Sequence, residues 1–274
     1  MGLRINSNIL SLNAQRNLSN VSERLSGNFS RLSSGLRIAS AADDAAGLGI
    51  SERLRSQVRS LNQAGRNAQD GISLVQTAEG ALGETGSNLA RLRELAVQAS
   101  NGTLNTADRA TINNEFTALK DEIARVASDT NFNGVTLLDG STTSVALQVG
   151  IDSGQTISVS LASATQSGLG ISSTSFNAST VTAAVAALAT IDTAISSVAT
   201  ARGDLGATTN RLSSTVRSIA NQSENLAAAE TRIRDVDVAF ETADLTRNSI
   251  LQQAALSVLS QANVQPQLAL SLLG

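Results

Sequence analysis

Apolar residues return every seven positions along two long stretches of this chain. Leu54, Leu61, Ala68, Val75, Leu82, Leu89 and Ala96 form an unbroken series, and Val58, Ile72, Leu92 and Leu95 widen the stripe. Leu205, Leu212, Ile219, Leu226 and Ile233 repeat the spacing toward the other end. An ideal α-helix drifts by about 20° per heptad, so strict sevens predict helices that supercoil gently around a partner. The first series would extend about 63 Å at about 1.5 Å per residue. A helix that long with a one-sided apolar stripe needs a mate, and the second series is the candidate.

Each terminus also carries a helical pattern. Ile5, Ile9, Leu12, Leu18, Val21, Leu25, Phe29 and Leu32 mark the first, and Leu245, Ile250, Leu251, Leu256 and Leu259 the last. Beyond the only proline, Pro266, the last pattern continues through Leu268, Leu270, Leu272 and Leu273. Residues 1–40 hold five arginines against Glu23, whereas residues 235–274 hold four acids against Arg247. Opposite signs favour pairing and steer register. The two ends are therefore expected to lie together, with everything between folded back as one long hairpin.

The periodicity changes between the heptad series. Asn101-Gly102 breaks the first helix, and Thr106 or Asp108 is expected to cap a shorter one carrying Ile112, Phe116, Leu119, Ile123 and Val126. That helix should end near Asn131–Gly134. Val145, Leu147, Val149 and Ile151 then alternate with polar or small residues, as do Ile157, Val159 and Leu161, so a β-hairpin is expected around Asp152–Gln155. Residues 163–182, rich in Ser, Thr and Ala, read as loop or outer surface. The alanine-rich stretch from Val181 restarts the return helix. The fold expected is mainly α: a long antiparallel helical hairpin with paired terminal helices and a small β-hairpin.

Composition narrows the chemistry. The chain has no histidine, cysteine, tryptophan or tyrosine, so the common proton shuttle, the thiol nucleophile and the best metal ligands are missing. No catalytic, cofactor or metal site is expected. A net charge of −3 gives no general attraction to nucleic acid or anionic membrane. No run of 18 or more apolar residues occurs, so no membrane span is expected, and the N-terminus lacks the pattern of a cleaved signal peptide.

Two stretches carry candidate sites. Asp43-Asp44 resembles a general acid/base pair, but adjacent side chains point apart in helix and strand alike. A helix cap is the simpler reading, since a carboxylate there meets free N–H groups and the positive end of the helix dipole. "GLGIS" is no dinucleotide fingerprint, because Glu52 stands where a third glycine belongs. Ala41, Ala42, Ala45, Ala46, Gly47 and Gly49 instead allow close backbone approach. In "LARLRELAVQAS", charged Arg91, Arg93 and Glu94 interrupt the stripe of Leu89, Leu92 and Leu95. Arg91 and Leu95 stand four apart, so they share a helix face.

Taken together, "INSNILSLNAQRNL", "RLSSGLRIASAADDAAGLGIS", "LRELAVQASNGT", "FNGVTLLDG", "TRIRDVDVAFETADLTRNSILQQA" and "LSQANVQPQLALSLLG" resemble the bacterial flagellins. The likeness covers nearly the whole chain and weakens across about residues 163–200. It implies a non-enzymatic subunit that stacks into the helical flagellar filament used for swimming. Residues 1–42 with 235–274 would form paired inner-tube helices and a spoke, the latter capped by Asp43 or Asp44. Residues 43–140 with 181–234 would form the surrounding helical rod. Residues 141–180 would supply a β-hairpin and a short surface segment in place of large outer domains. It also implies an extracellular location reached by type III export without a cleaved signal peptide, and a dedicated export chaperone on residues 235–274. Filament cap and hook-junction proteins would be further partners, with neither nucleic acid nor membrane insertion involved. In some flagellins an innate immune receptor uses positions that match Arg91, Leu95 and Glu115. The hook–filament junction protein, a relative sharing the N-terminal pattern, is the alternative.

Overall fold

A computed structural model of the chain describes residues 8–173 and 177–271, with side chains as far as residue 265. Of the apolar positions expected in the terminal helices, Ile5, Leu272 and Leu273 lie outside the described residues, as do the side chains of Pro266, Leu268 and Leu270. In chain order the elements are α1 (Ile9–Ser34), α2 (Ala45–Ala99), α3 (Thr106–Asp129), β1 (Asn131–Phe132), β2 (Val135–Thr136), β3 (Ser144–Gln148), β4 (Thr156–Ser160), α4 (Val181–Arg234) and α5 (Val238–Ser271). They divide into two compact units, one of Met1–Ser56 with Asn225–Gly274 and one of Gln57–Glu224.

The unit Gln57–Glu224 contains a continuous apolar core. Its heptad positions Ala68, Val75, Leu82, Leu89 and Ala96 from α2 are buried against Ala187, Ile191, Ala194, Val198, Leu205 and Leu212 of α4. Polar contacts fix the pairing as antiparallel: Asn62 meets Ser223, Glu79 meets Arg202, and Arg93 meets Asp192. α3 folds back along α2 and buries Ile112, Phe116, Ile123 and Ala127. The first part of α4 is long and apolar enough to cross a membrane, with a mean hydropathy of 1.6 over an 18-residue window. The run-length criterion missed this, because Thr and Asp interrupt the alanines. Ala184 and Ala187 are buried in the core and Asp192 is ion-paired, as expected of a core helix.

Two hairpins complete this unit. β3 and β4 pair antiparallel from Ser144 opposite Ser160 to Gln148 opposite Thr156, the arrangement expected from the alternation. The hairpin sits directly on α2: a Cβ at Gly71 would lie 2.2 Å from Leu147 Cδ1, so a larger residue there would require the Leu147 side chain to shift. Alternation did not reveal the second hairpin, β1 with β2, whose strands have two residues each. Its turn residues Asn133 and Gly134 both have positive φ, 50° and 80°, as a type I′ turn requires.

Two expectations require correction. The cap of α3 is Asn105, not Thr106 or Asp108. Asn105 Oδ1 accepts from the Asp108 backbone N–H, while the Asp108 carboxylate accepts from the Asn105 N–H, a reciprocal capping box. Nor are residues 163–182 merely loop or outer surface. Ala164, Leu169, Ile171 and Ala178 are buried in the core, because irregular backbone can turn widely spaced small apolar side chains inward without a period.

In the other unit, α1 and α5 pair antiparallel. Asn8 Nδ2 donates to Ala262 O at 2.7 Å, Ser11 Oγ to Asn263 Oδ1 at 2.8 Å, and Arg31 pairs with Glu241 at 2.8 Å. The inward positions follow alternate three- and four-residue steps: Ser11, Ala14, Leu18, Val21, Leu25, Asn28 and Leu32 on α1, and Glu241, Leu245, Asn248, Gln252, Ala255, Leu259 and Ala262 on α5. Small and polar residues make up much of this seam. Ile9, Leu12 and Phe29, expected in one stripe with Leu18 and Leu25, instead point outward and are more than half exposed.

Candidate functional site

The stretch between α1 and α2 is a joint built from backbone hydrogen bonds and two differently employed carboxylates. α1 ends at Gly35, whose N–H donates to Arg31 O at 2.9 Å. Residues 35–38 then lie against 233–236: Arg37 N–H donates to Arg234 O at 2.6 Å, Val236 N–H to Gly35 O at 3.0 Å, and Arg37 Nη2 to Ile233 O at 2.6 Å. Leu36 and Asp235 form an isolated antiparallel bridge. Arg234 Nη1 reaches Glu52 Oε1 at 2.7 Å, which ties the start of α2 to the same patch.

Asp44 is the cap of α2, its Oδ1 accepting from Gly47 N–H at 2.9 Å. Asp43 faces the opposite way. Its Oδ2 accepts from the Ser40 N–H at 2.8 Å, from Ser40 Oγ at 3.0 Å and from the Ala39 N–H at 3.2 Å, holding the turn before the helix. The Ser40 N–H and hydroxyl keep the Asp43 carboxyl below its ordinary pKa. A Cβ at Gly47 would lie 2.4 Å from Asp44 Oδ2 and 2.8 Å from Ile38 Cδ1, so the close approach expected of the small residues is real there. At Gly49 a Cβ would meet nothing, and Ala41, Ala42, Ala45 and Ala46 are exposed.

Arg91 and Glu115 come together across α2 and α3. Arg91 Nε and Nη2 both donate to Glu115 Oε1, at 3.0 and 2.8 Å, and Nη1 donates to Glu94 Oε2 at 2.8 Å. Donating hydrogen bonds to Glu94 and then to Glu115 raises the Arg91 pKa above its ordinary value. All three side chains are about half exposed or more, so the cluster forms a charged surface. Leu95 does not stand beside it as an exposed apolar anchor. Its side chain is 1% exposed and belongs to the core, because the face shared by residues four apart spans both the rim and the inside of a paired helix. In the same stretch it is Val97 that is exposed, at 48%.

Large apolar side chains are exposed on the sides of α5 that α1 leaves open. Val238, Phe240, Ile250, Leu251, Leu256, Val258 and Val264 are all 44–66% exposed, and at 100° per residue they fall on several sides of the helix. α1 adds Ile9, Leu10, Leu12 and Phe29 at 52–58%. Large apolar residues on several open sides of a helix call for burial that one chain alone does not supply. Among the described residues no cluster of metal-ligating side chains occurs.

Residues 5–143 match the bacterial flagellin N-terminal helical region, and residues 188–273 match the bacterial flagellin C-terminal helical region. The chain belongs to the bacterial flagellins. This flagellin is 48% identical to one from Halalkalibacterium halodurans over 98% of its own length and 99% of that relative. It is 44% identical to a Bacillus subtilis flagellin over 99% of this chain and 100% of the other. A Treponema maltophilum "flagellar filament 30.7 kDa core protein" is 41% identical over 98% and 99%. Among solved structures, Bacillus cereus flagellin superposes with a TM-score of 0.51 at 34% identity, covering 60% of this chain and 94% of that one. A flagellar hook-associated protein from Vibrio parahaemolyticus shares the fold, with a TM-score of 0.60 at 16% identity over 70% of this chain and 100% of that one.

Proposed function

We propose that this flagellin is the structural subunit of a helical bacterial flagellar filament, and that it acts by packing against copies of itself rather than by catalysis. The observation that carries the reading is the exposure of large apolar residues on the open sides of α5 together with those pointing outward on α1. Ordering each backbone residue costs about 1–2 kcal/mol, and a seam this rich in Ala, Ser, Asn and Gln offsets little of it. Contact with neighbouring subunits provides the missing burial. The relatives matched over nearly their full length are flagellins and filament core proteins, whereas the hook–filament junction alternative draws on fold likeness alone.

In this reading residues 1–42 with 235–274 form the inner layer, residues 43–140 with 181–234 the surrounding helical layer, and residues 141–180 the surface segment. The subunit works outside the cell and reaches the growing tip by export without a cleaved signal. An export chaperone covers residues 235–274 beforehand, which keeps the apolar faces of α5 from premature association. Filament cap and hook-junction proteins meet the same assembly faces at the two ends of the polymer. Arg91 and Glu115, with Leu95 holding their helix in place from inside, form a contact for a neighbouring subunit and for a host innate receptor. The support for this last assignment is a preformed, exposed ion-pair cluster bridging two helices.

Removal of residues 1–42 and 235–274 tests the central claim. The remaining chain is expected to stay soluble and helical by circular dichroism and to form no filaments by electron microscopy after seeding. Normal filaments from the trimmed chain would overturn the proposal.

A further inference from the structure

The seam between α1 and α5 contains a feature that stability does not explain. Asn28 is 2% exposed and Asn248 8% exposed, each at an inward position, flanked there by Leu25 and Leu32 on α1 and by Leu245 and Gln252 on α5. Asn248 Nδ2 donates to Asn28 Oδ1 at 3.2 Å, and Asn28 Nδ2 has no partner among the described residues. A buried amide pair that leaves one donor unsatisfied costs free energy relative to two leucines. In paired helices, a polar residue at an inward position specifies one register at the expense of stability.

We infer that Asn28 and Asn248 determine the register of the α1–α5 pair. The seam needs such a key, because its inward Leu, Val and Ala residues are interchangeable under a shift of seven. Sliding α5 by one heptad moves Leu25 from the level of Gln252 to that of Leu245 or Leu259. In one direction it also moves Leu18 from the level of Leu259 to that of Gln252, so apolar contact alone discriminates weakly. The asparagines do discriminate. A slip in one direction places Asn28 against Glu241 and Asn248 against Val21, and it also separates Glu241 from Arg31. A slip in the other direction places Asn28 against Ala255 and carries Asn248 past the end of α1 to Gly35. In either case the amide pair is split. Arg31, one turn from Asn28, and Glu241, seven residues from Asn248, extend the key along the same two faces. Register matters because it sets which outward apolar residues of α1 and α5 stand side by side on the face offered to other copies.

The chain contains no cysteine, so engineered pairs report register without background. Ser22 and Gln252 touch at 3.5 Å in the native register. Leu245 and Leu259 lie one heptad to either side of Gln252. Full-length chains carrying Ser22→Cys with Gln252→Cys, with Leu245→Cys or with Leu259→Cys are oxidised, and the disulfide yields are compared in the parent and in Asn28→Leu/Asn248→Leu. In the parent the native pair is expected to exceed either slipped pair by about tenfold or more, the scale of an unpaired buried amide. In the double-leucine chain that preference should fall about tenfold. Asn28→Ala/Asn248→Ala repeats the comparison with side chains no larger than those already in the seam. Equal yields in the parent, or an unchanged preference in both double variants, would overturn the inference. The readout uses the purified chain, so a chain that polymerises normally yet keeps its preference defeats the register key and leaves the filament reading intact.

Discussion

At the scale of single residues, the joint before α2 shows two neighbouring carboxylates with different tasks, and each makes a separate prediction. Asp44 caps the helix, and a side chain at Gly47 would have to displace its carboxylate. In an exposed helix interior, Gly→Ala stabilises by about 1 kcal/mol. At Gly47 the added methyl meets the capping carboxylate and Ile38, so Gly47→Ala should instead destabilise by roughly 1–2 kcal/mol, and Asp44→Ala by about 1. The two losses should not add, because the first already disrupts the cap. Thermal unfolding of both single variants and the double variant measures this coupling. Asp43 has a pH signature instead. Its folded pKa lies below its unfolded one, so its contribution to the turn is complete above the ordinary value of 3.8 and disappears only as pH falls through the lower, folded value. An NMR titration of the Asp43 carboxyl carbon should give a midpoint below 3.8. A midpoint at or above that value would show that the Ser40 contacts do not hold the carboxylate.

At the scale of elements, legibility in the sequence followed the length of each periodic signal. Seven-residue spacing located α2 and α4, and alternation located β3 with β4, because long repeats average over local exceptions. The β1–β2 hairpin escaped because two-residue strands have no period, although Asn133-Gly134 carried its turn signal. The apolar plug at Ala164, Leu169, Ile171 and Ala178 escaped because serines and threonines dominate its neighbourhood. For the candidate site, the resemblance and not charge singled out Arg91 and Glu115, which the structure brings together. The four-residue spacing that put Leu95 on the face of Arg91 could not tell the rim of a buried stripe from its centre. That difference is measurable. Leu95→Ala should destabilise the chain by about 2–5 kcal/mol as a core truncation. Arg91→Ala, at an exposed ion pair, should leave the melting temperature almost unchanged while weakening filament growth. Melting curves and polymerisation assays on both variants separate the roles. If Arg91→Ala polymerises like the parent, the cluster is only a solvated face.

At the scale of the whole molecule, the two units differ in how much each buries for itself. The unit Gln57–Glu224 has a continuous core with Phe116, Leu82, Leu89, Leu92 and Ile123 wholly enclosed. In the other unit the buried apolar side chains on α1 and α5 are, among the described residues, Ala14 and Ala262, while the seam leucines are only half-buried and many other large apolar residues face outward. Local opening free energy tracks buried apolar contact, so the amides of α1 and α5 should exchange with solvent far faster than those of α2 between residues 61 and 99. Polymerisation changes this asymmetry without changing the fold. Covering the outward leucines, valines and phenylalanines removes the open states, since each large side chain taken out of water contributes about 1.5–3 kcal/mol. Hydrogen exchange on soluble chain and on sedimented filaments should therefore show residues 9–34 and 238–265 slowing by at least about a hundredfold on assembly. Residues 61–99, already enclosed, should change little. Uniform slowing of both regions would mean that subunits contact one another through the core unit as well. Unchanged exchange in α1 and α5 would mean that their apolar faces stay in water, and that burial of those faces does not drive assembly.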